Sequence, residues 1–193
     1  MAKVGISNLH YGLFSTEETA SANPTIGTIK APTVGMVTVD IAANSNKVEL
    51  YADNILWDSE NVFTGAEMTV DLAELPLEVQ ADLLGHTYDS TAKTLIKKSQ
   101  DVAPYAAIGF EFLMSNGKKL CVWLYKCKAS EPNQNSNTRG ENTEYGTNEV
   151  TFTCAALKGG GDNKGRWQYC QEFDADAATT SFYTSVPLAS VSP

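Results

Sequence analysis

Two apolar segments joined by Asn116-Gly117 constrain the fold of this chain more than any other feature. The segments 106–115 and 118–128 flank this dipeptide, which is the preferred sequence for a two-residue type I′ turn. Counting outward from such a turn pairs Phe112 with Cys121, Phe110 with Trp123 and Ile108 with Tyr125. Aromatic and β-branched residues favour cross-strand contacts of this kind. The sequence therefore predicts an antiparallel β-hairpin with these six side chains on one face.

The other face of this hairpin is also mainly apolar. Its residues are Glu111, Leu113, Val122, Leu124 and Lys126. A strand pair that is apolar on both faces needs a covering layer on each of them. A second layer of the same chain, for instance a helix, or another subunit would provide this cover, and the sequence leaves both interpretations open.

Four other segments alternate between apolar and polar residues, which is the pattern of a half-buried strand. They are 34–41, 47–51, 62–72 and 149–157. The clearest is 62–72, in which Ala66, Met68, Val70 and Leu72 alternate with Gly65, Glu67, Thr69 and Asp71. Residues 42–46, which include two Asn and one Ser, predict a turn between the first two segments.

One short helix is predicted at about 75–84. Pro76 suits the first turn, where a missing N–H costs nothing, and Gly85 suits the residue that follows the last turn. Leu77, Ala81 and Leu84 form an apolar stripe along it. The predicted fold is therefore mainly β, a sandwich or barrel of seven or eight strands with one short α-helix.

Acidic residues are concentrated in one part of the chain. The net charge is −9, and residues 40–89 hold eleven acids and one base, Lys47. Proteins that grip nucleic acid by its phosphates, or that bind an anionic membrane surface, need a basic surface, so the charge argues against both classes. The sequence has no apolar run of about 20 residues and no apolar N-terminal segment, so we expect neither a membrane span nor a secretion signal.

Residues that often carry chemistry form no recognisable motif. The four cysteines lack the spacing of zinc ligands and are interpreted as buried thiols. They are Cys121, Cys127, Cys154 and Cys170. Asp53, Asp58 and Glu60 lack the spacing of a calcium loop, and His86 is expected to contact the terminal carbonyls of the predicted helix. We therefore predict no catalytic residue, no metal site and no cofactor.

The stretch 72–132 carries a resemblance to a known family. Its segments are LAELPLEVQADLLGH (72–86), DVAPYAAIGFEF (101–112), SNGK (115–118), WLYK (123–126) and SEP (130–132), and LYAD (50–53) and GRW (165–167) also fit. In order and spacing they resemble the major tail protein family of long-tailed, non-contractile bacteriophages and prophages of Gram-positive bacteria. The resemblance covers most of residues 1–170 and does not extend beyond Glu172.

This resemblance implies a structural virion protein that assembles into stacked rings, usually hexameric, which form the tail tube for DNA ejection. The implied partners are other copies of the chain, the tape-measure protein, the tail terminator and distal tail or baseplate proteins. Genomic double-stranded DNA passes through without specific binding, and no membrane is involved. The expected location is the phage tail, after synthesis and assembly in the host bacterial cytoplasm.

The resemblance also implies a domain organisation. Residues 1–173 form a single tail-tube β domain, with an N-terminal arm and first strand in 1–30. A stacking loop at 53–61 and a polar loop at 129–147 extend from it, and 174–193 form a C-terminal arm.

Two groups of candidate site residues follow from this organisation. The acids expected to line the lumen are Asp40, Glu49, Glu67 and Asp71. The residues expected at contacts between rings or subunits are Asp53, Ile55, Leu56, Trp57, Asp58 and Glu60. Ordinary solvated strand faces are the competing interpretation of the first group, and folding of Ile55–Trp57 back onto the core is that of the second.

Two other functions stay open. One is a non-viral β-sandwich binding module, for example a carbohydrate-binding domain, which rows of exposed aromatic residues would favour. The other is a hydrolase of unrecognised type, which should show a pocket with converging carboxylates.

Overall fold

The protein is built on one large antiparallel sheet. The computed structural model describes residues 2–134, 146–174 and 179–189. In chain order its elements are β1 (Lys3–Thr16), β2 (Thr25–Ile26), β3 (Met36–Ala52), β4 (Ile55–Leu72), α1 (Leu77–Leu84), β5 (Thr87–Asp89), β6 (Thr94–Ile96), β7 (Ala106–Met114), β8 (Lys119–Ala129), β9 (Asn133–Gln134), β10 (Asn148–Ala155) and β11 (Gln168–Phe173). Two short 3-10 helices lie at Gly161–Asn163 and Thr180–Tyr183. The predicted mainly β, sandwich-like fold with one short α-helix is confirmed.

The order of strands in the main sheet is β2-β1-β7-β8-β10-β4-β3, and β5 and β6 form a separate hairpin. β8 pairs with β7 along one edge. Its other edge is shared, because residues 119–124 pair with β11 and residues 126–129 pair with β10. The sheet therefore divides along β8, which contributes to both layers of the fold.

The main core lies inside the curved sheet and under α1. Met68, Ile108, Phe110 and Leu124 are fully buried there. The helix contributes its own buried residues to the same core, namely Val79, Leu83 and Leu84. Leu77, which was expected in the buried stripe, is exposed, because Pro76 caps the helix and Leu77 is only its first residue. Gly85 ends the helix in the left-handed conformation, at a φ of 74°.

The central hairpin forms with a register one residue away from the predicted one. Ser115, Asn116 and Gly117 make a three-residue loop, in which the Gly117 N–H donates to the Met114 carbonyl at 2.9 Å and Gly117 has a φ of 81°. A type I turn followed by a left-handed glycine is the usual three-residue connection. The longer loop shifts the pairing, so that Phe112 lies opposite Leu120, Phe110 opposite Val122 and Ile108 opposite Leu124.

This shift decides which side chains of β8 enter the main core. Moving the register by one residue exchanges the faces of a strand. Val122 and Leu124 therefore join Phe110 in the main core, while Cys121 and Trp123 face a second core on the other side.

Residues 179–189 of the same chain cover that second core. Tyr183 is buried against Trp123, and the Trp123 indole N–H donates to the Phe182 carbonyl at 3.3 Å. The Tyr125 hydroxyl donates to the Pro187 carbonyl at 2.8 Å. The second layer therefore comes from this chain and is not the helix. Within the predicted C-terminal arm over 174–193, the described residues 179–189 therefore pack against β8.

The described residues include most of the predicted N-terminal arm but only part of the predicted polar loop and C-terminal arm. β1 begins at Lys3, and Lys30 pairs with Tyr11, so residues 3–30 are largely built into the sheet. Most of the predicted polar loop, residues 135–145, lies outside the described residues, as do 175–178 and 190–193 of the predicted arm. No helix in the described ranges has the length and apolarity that crossing a membrane requires.

Candidate assembly surfaces

A two-stranded ribbon formed by residues 44–65 extends beyond the rest of the sheet. β3 and β4 pair from Met36 and Leu72 to Ala52 and Ile55, whereas β10 pairs with β4 only as far as Ala66. Beyond that point the two outer edges of the ribbon pair with no other strand among the described residues. At about 3.3 Å per residue, the ribbon is roughly 30 Å long. Its unpaired edges can accept strands of another chain.

The turn at the end of the ribbon corrects the predicted stacking loop at 53–61. Asp53 and Asn54 have φ values of 53° and 62°, which both central residues of a type I′ turn require and which Asp and Asn tolerate. Residues 55–61 belong to β4, and the turn predicted at 42–46 is likewise wrong, since these residues lie inside β3. Pairing along the whole length of the two strands overrides the local turn propensity of the Asn and Ser residues.

The ribbon exposes large apolar side chains. Ile55 is 68% exposed and Trp57 is 71% exposed. The other exposed apolar residues of the ribbon are Val48, Leu50, Tyr51, Leu56 and Val62. The interpretation that Ile55–Trp57 fold back onto the core is therefore wrong. Contiguous exposed apolar surface of this kind usually marks a contact with a partner.

Carboxylates lie among these apolar residues at the end of the ribbon. Asp58 is directly opposite Leu50, and Glu60 is directly opposite Val48, so each pair shares one face. Leu50 pairs with Asp58 and Tyr51 with Leu56, which leaves Trp57 as the extra residue of a β-bulge. We call residues 48–60 the ribbon tip. Its surface is both apolar and acidic, and it contains all six residues predicted at ring or subunit contacts.

Three of the four predicted lumen acids share one outward face of the sheet. Met68, Val70 and Leu72 point into the core, so Glu67 and Asp71 point away from it. Asp40 is opposite Thr69 and Thr38 is opposite Asp71, which places the β3 residues on the same face. The Thr38 hydroxyl donates to Asp71 Oδ2 at 2.6 Å.

β10 adds a fourth acid that the sequence analysis missed. Glu149 lies opposite Asp71. Val150 and Phe152 point into the core, so Glu149 points to the outward face of the sheet. The alternation of 149–157 was sufficient to place Glu149 outward, but not to place it beside β4. We call Asp40, Glu67, Asp71 and Glu149 the acidic face. Lys128 of β8 borders the acidic face. It lies opposite Thr153, and its ammonium group lies over the ring of Tyr105.

Glu49 does not belong to the acidic face, contrary to the prediction. It is nine residues from Asp40 along β3, and the extra residue of the nearby bulge, Thr64, is in β4. An odd separation along a continuous strand puts two side chains on opposite faces. Glu49 is instead paired with Lys47 and accepts a hydrogen bond from Tyr51 at 3.0 Å. The contact with Lys47, and to a smaller extent that with Tyr51, lowers the pKa of the Glu49 carboxyl group.

The His86 imidazole is held between two carboxylates and does not contact the helix-terminal carbonyls as predicted; the His86 backbone N–H makes such a contact instead, with the Ala81 carbonyl at 3.1 Å. Its Nδ1 lies 2.8 Å from Asp101 Oδ2 and its Nε2 lies 2.6 Å from Glu131 Oε1. Both contacts are hydrogen bonds only when both ring nitrogens carry a proton. Lys97 also contacts Glu131, at 2.8 Å. We call these four residues the His86 clasp; it ties the start of β5 to the chain that follows β8.

The His86 clasp borders a cavity that also contains Ser90, but the His86 imidazole is not directed at the Ser90 hydroxyl. The cavity measures about 370 Å³ and is lined by Glu78, Ala81, Asp82, His86, Tyr88 and Ser90. Activation of a serine by histidine needs an imidazole nitrogen directed at the hydroxyl. Here one nitrogen is directed at Asp101 and the other at Glu131, so the arrangement serves to hold three chain segments together.

The cysteines match their prediction in part. Cys121, Cys127 and Cys154 are buried free thiols, whereas Cys170 is exposed on β11, so the prediction is wrong for that residue. Among the described residues, no three His, Cys, Asp or Glu side chains are placed to hold a metal ion together.

A buried ion pair that the sequence did not indicate connects β8 to the chain after β1. The Lys126 ammonium donates to Glu18 Oε1 at 2.8 Å and to Glu17 Oε2 at 3.2 Å. The side chains of Lys126 and Glu18 are 3% and 2% exposed. Lys126 is therefore committed to an internal contact and is not available to an external anion.

No protein-family model matches this chain, and no curated protein matches it. Among the described residues, the candidate surfaces are the ribbon tip and the acidic face, and the register of β3 and β4 defines both.

Proposed function

We propose that this chain is a structural subunit that self-assembles into stacked rings and forms the tail tube of a long-tailed bacteriophage. The observation that carries the proposal is the ribbon, with exposed Ile55 and Trp57 at its tip and unpaired edges on both strands. An isolated two-stranded hairpin is only marginally stable in water. A ribbon of this length that projects from a well-packed sheet is best accounted for if other copies of the chain cover it.

The composition of the ribbon tip suits a contact between protein subunits. Large apolar and aromatic side chains supply most of the binding energy of interfaces when a partner removes them from water. Asp58 and Glu60 on the same surface keep it soluble before assembly and restrict which surfaces it can meet. The resemblance of residues 72–132 to major tail proteins makes further copies of this chain the expected partner.

In this proposal the acidic face lines the lumen. Asp40, Glu67, Asp71 and Glu149 would repel the phosphates of transiting DNA within the ~8–10 Å over which physiological salt screens charges only partly. Repulsion keeps the duplex from adhering to the wall during ejection. The same channel would hold the tape-measure protein, and the tail terminator and distal tail or baseplate proteins would bind the two ends of the tube. The place of the protein would be the virion tail, after synthesis in the bacterial cytoplasm.

Electron microscopy of the purified protein over a range of concentrations tests the proposal, and we expect rings or tubes. Ile55→Ser combined with Trp57→Ser should raise the concentration needed for assembly by about tenfold or more, because it removes the apolar anchors of the contact. The control is Val4→Ser combined with Leu77→Ser, which alters two exposed apolar residues outside the ribbon. Unchanged assembly of the ribbon variant would contradict the proposed role of the tip.

The exposed aromatics Tyr51 and Trp57 also keep a carbohydrate-binding module as the second candidate function. Aromatic rings at an exposed tip can stack on sugar faces. Binding of the purified protein to a glycan array, lost in Trp57→Ala and accompanied by a monomer at all concentrations, would favour this alternative.

A further inference from the structure

We infer that the β5–β6 hairpin and the residues that follow it, 87–102, form the surface that receives the ribbon tip of the next copy. This inference rests on the proposed function and adds the second half of its contact. We call residues 87–102 the receiving surface.

The receiving surface and the ribbon tip lie at opposite ends of β4. β4 runs from the turn at Ile55 to Leu72, after which the chain enters α1 and then β5. The His86 clasp places the start of β5 beside Glu131, and Asn133, two residues further on, pairs with Glu149. Glu149 in turn is opposite Asp71 at the Leu72 end of β4. The 18 residues of β4 therefore separate the two surfaces.

The receiving surface is chemically complementary to the tip. Lys93, Lys97 and Lys98 are all exposed, and this is the densest group of bases in the sequence. Among the described residues, neither Lys93 nor Lys98 forms an ion pair. The segment also holds two acids, so three lysines against two acids give it a net charge of +1. Both acids are held by hydrogen bonds: Asp89 accepts the N–H groups of Thr91 and Ala92, and Asp101 accepts from His86 and the Lys98 N–H.

Apolar residues accompany these lysines, as they accompany the acids of the tip. Ile96 is 48% exposed and Val102 is 70% exposed. Ile96 pairs with Thr87, and the backbone of Val102 lies against Gly85, so both border the short segment 85–87. Ile55 and Trp57 of one copy could pack on Ile96 and Val102 of another while Asp58 and Glu60 meet the lysines.

A contact between two different surfaces of the same chain is heterologous. Such contacts repeat from copy to copy and generate rings or open filaments instead of closed dimers. Because the two surfaces lie at opposite ends of β4, the repeat would proceed along the direction of that strand. Each copy thus carries both the ribbon tip and the surface that receives the tip of another copy, which accounts for the growth of a stack.

Charge reversal on each side tests the inference. Asp58→Lys with Glu60→Lys alters the tip, and Lys93→Glu with Lys98→Glu alters the receiving surface; Lys97 stays intact because it belongs to the His86 clasp. We expect each variant to weaken self-association about tenfold or more, since like charges then face each other. The variant that carries all four changes should recover most of the wild-type association, because the charges are again opposite. Sedimentation velocity measures the association, and thermal melting by circular dichroism verifies that every variant is folded.

Lys158→Glu with Lys164→Glu is the matched control, because it makes the same charge change on exposed lysines of another loop. If wild-type protein assembles but the fourfold variant associates no better than either twofold variant, the receiving surface belongs to a different partner and this inference is wrong, while the proposed function stands. An equal loss in the control would also overturn it. If the wild-type protein never assembles, the proposed function fails and the inference fails with it.

Discussion

Tyr183 shows how single residues complete the fold. Its ring stacks on His10, with ring centroids 4.2 Å apart, and packs against Trp123, so it joins β1, β8 and the C-terminal cover. Its hydroxyl group is buried beside the Cys121 thiol and the Val122 backbone and makes no hydrogen bond of good geometry among the described residues. A buried polar group without a partner costs stability, whereas the ring around it supplies packing.

The two parts of Tyr183 should respond in opposite ways to substitution. Tyr183→Ala should lower the free energy of unfolding by about 3–5 kcal/mol, because it leaves a cavity in the second core. Tyr183→Phe should leave stability unchanged or raise it by up to about 1 kcal/mol, because only the unpaired hydroxyl is lost. Urea denaturation followed by tryptophan fluorescence measures both changes. A large loss in Tyr183→Phe would mean that the hydroxyl has a partner.

At the scale of elements, the His86 clasp joins three segments that the sheet does not connect directly. The pKa of Asp101 is lowered by the Lys98 N–H and then by His86, and the pKa of Glu131 is lowered by Lys97 and then by His86. A carboxyl group with a lower pKa in the folded state stabilises the fold above its ordinary pKa. That contribution is lost as the pH falls through the ordinary values, here 3.8 and 4.5, to the lowered ones.

We therefore expect the unfolding free energy to decrease when the pH is lowered from about 6 to about 3. Asp101→Asn combined with Glu131→Gln should reduce stability at neutral pH and make this decrease shallower. Other carboxyl groups with lowered pKa, such as that of Glu18, keep it from vanishing. Urea denaturation at several pH values measures the slope. Asp162→Asn, at an exposed position, is the control, and a slope equal to the wild type in the double variant would contradict the role of the clasp.

The elements that the sequence predicted well are those whose alternation is uninterrupted. β4 buries Ala66, Met68, Val70 and Leu72 as expected, and α1 ends at Gly85 as expected. The failures have two causes. A third loop residue before Lys118 shifts the register of the hairpin, and the absence of the expected turn at 42–46 keeps β3 continuous, so that Glu49 lies nine residues from Asp40 and on the other face. Both depend on how a strand pairs with its partner, so the pattern of one segment does not reveal them.

The candidate site was predictable in its residues but not in its shape. The exposed tip residues and three acids of the acidic face were found because acids and apolar residues alternate unusually in 40–71. The ribbon itself was missed, because residues 42–46 and 58–61 have local turn propensity that only long-range pairing overrides. Residues 179–189 have no periodicity, so nothing in their sequence indicated that they cover β8.

At the scale of the whole molecule, the acids of β3, β4 and β10 form two separate groups, the acidic face and the acids of the ribbon tip. The acidic face lies on the sheet at the base of the ribbon, whereas the acids of the tip lie among apolar residues. In the proposed tube, only the first group would meet DNA. A surface that must let a polyanion pass needs an excess of negative charge, and the four carboxylates of this face outnumber Lys128 at its border.

Glu67→Lys combined with Asp71→Lys should convert the wall into one that retains DNA. Assembled tubes of this variant should bind double-stranded DNA at low salt and release it as salt is raised, since the attraction is electrostatic. Co-sedimentation of labelled DNA with tubes measures the retention. Tubes that carry Glu74→Lys with Asp162→Lys, at exposed positions outside the acidic face, are the control. Equal retention by both variants would place the acidic face away from the lumen.

The cover formed by residues 179–189 has a consequence for synthesis. A ribosome releases these residues only after β7 and β8 have emerged, so a nascent chain displays Cys121 and Trp123 without their cover. During that interval the apolar face of the β7–β8 hairpin that residues 179–189 later cover is exposed to solvent, and the chain can aggregate through it. Slowing translation between β8 and residue 179 should therefore lower the yield of folded protein, and supplying a chaperone that binds nascent chains should restore it.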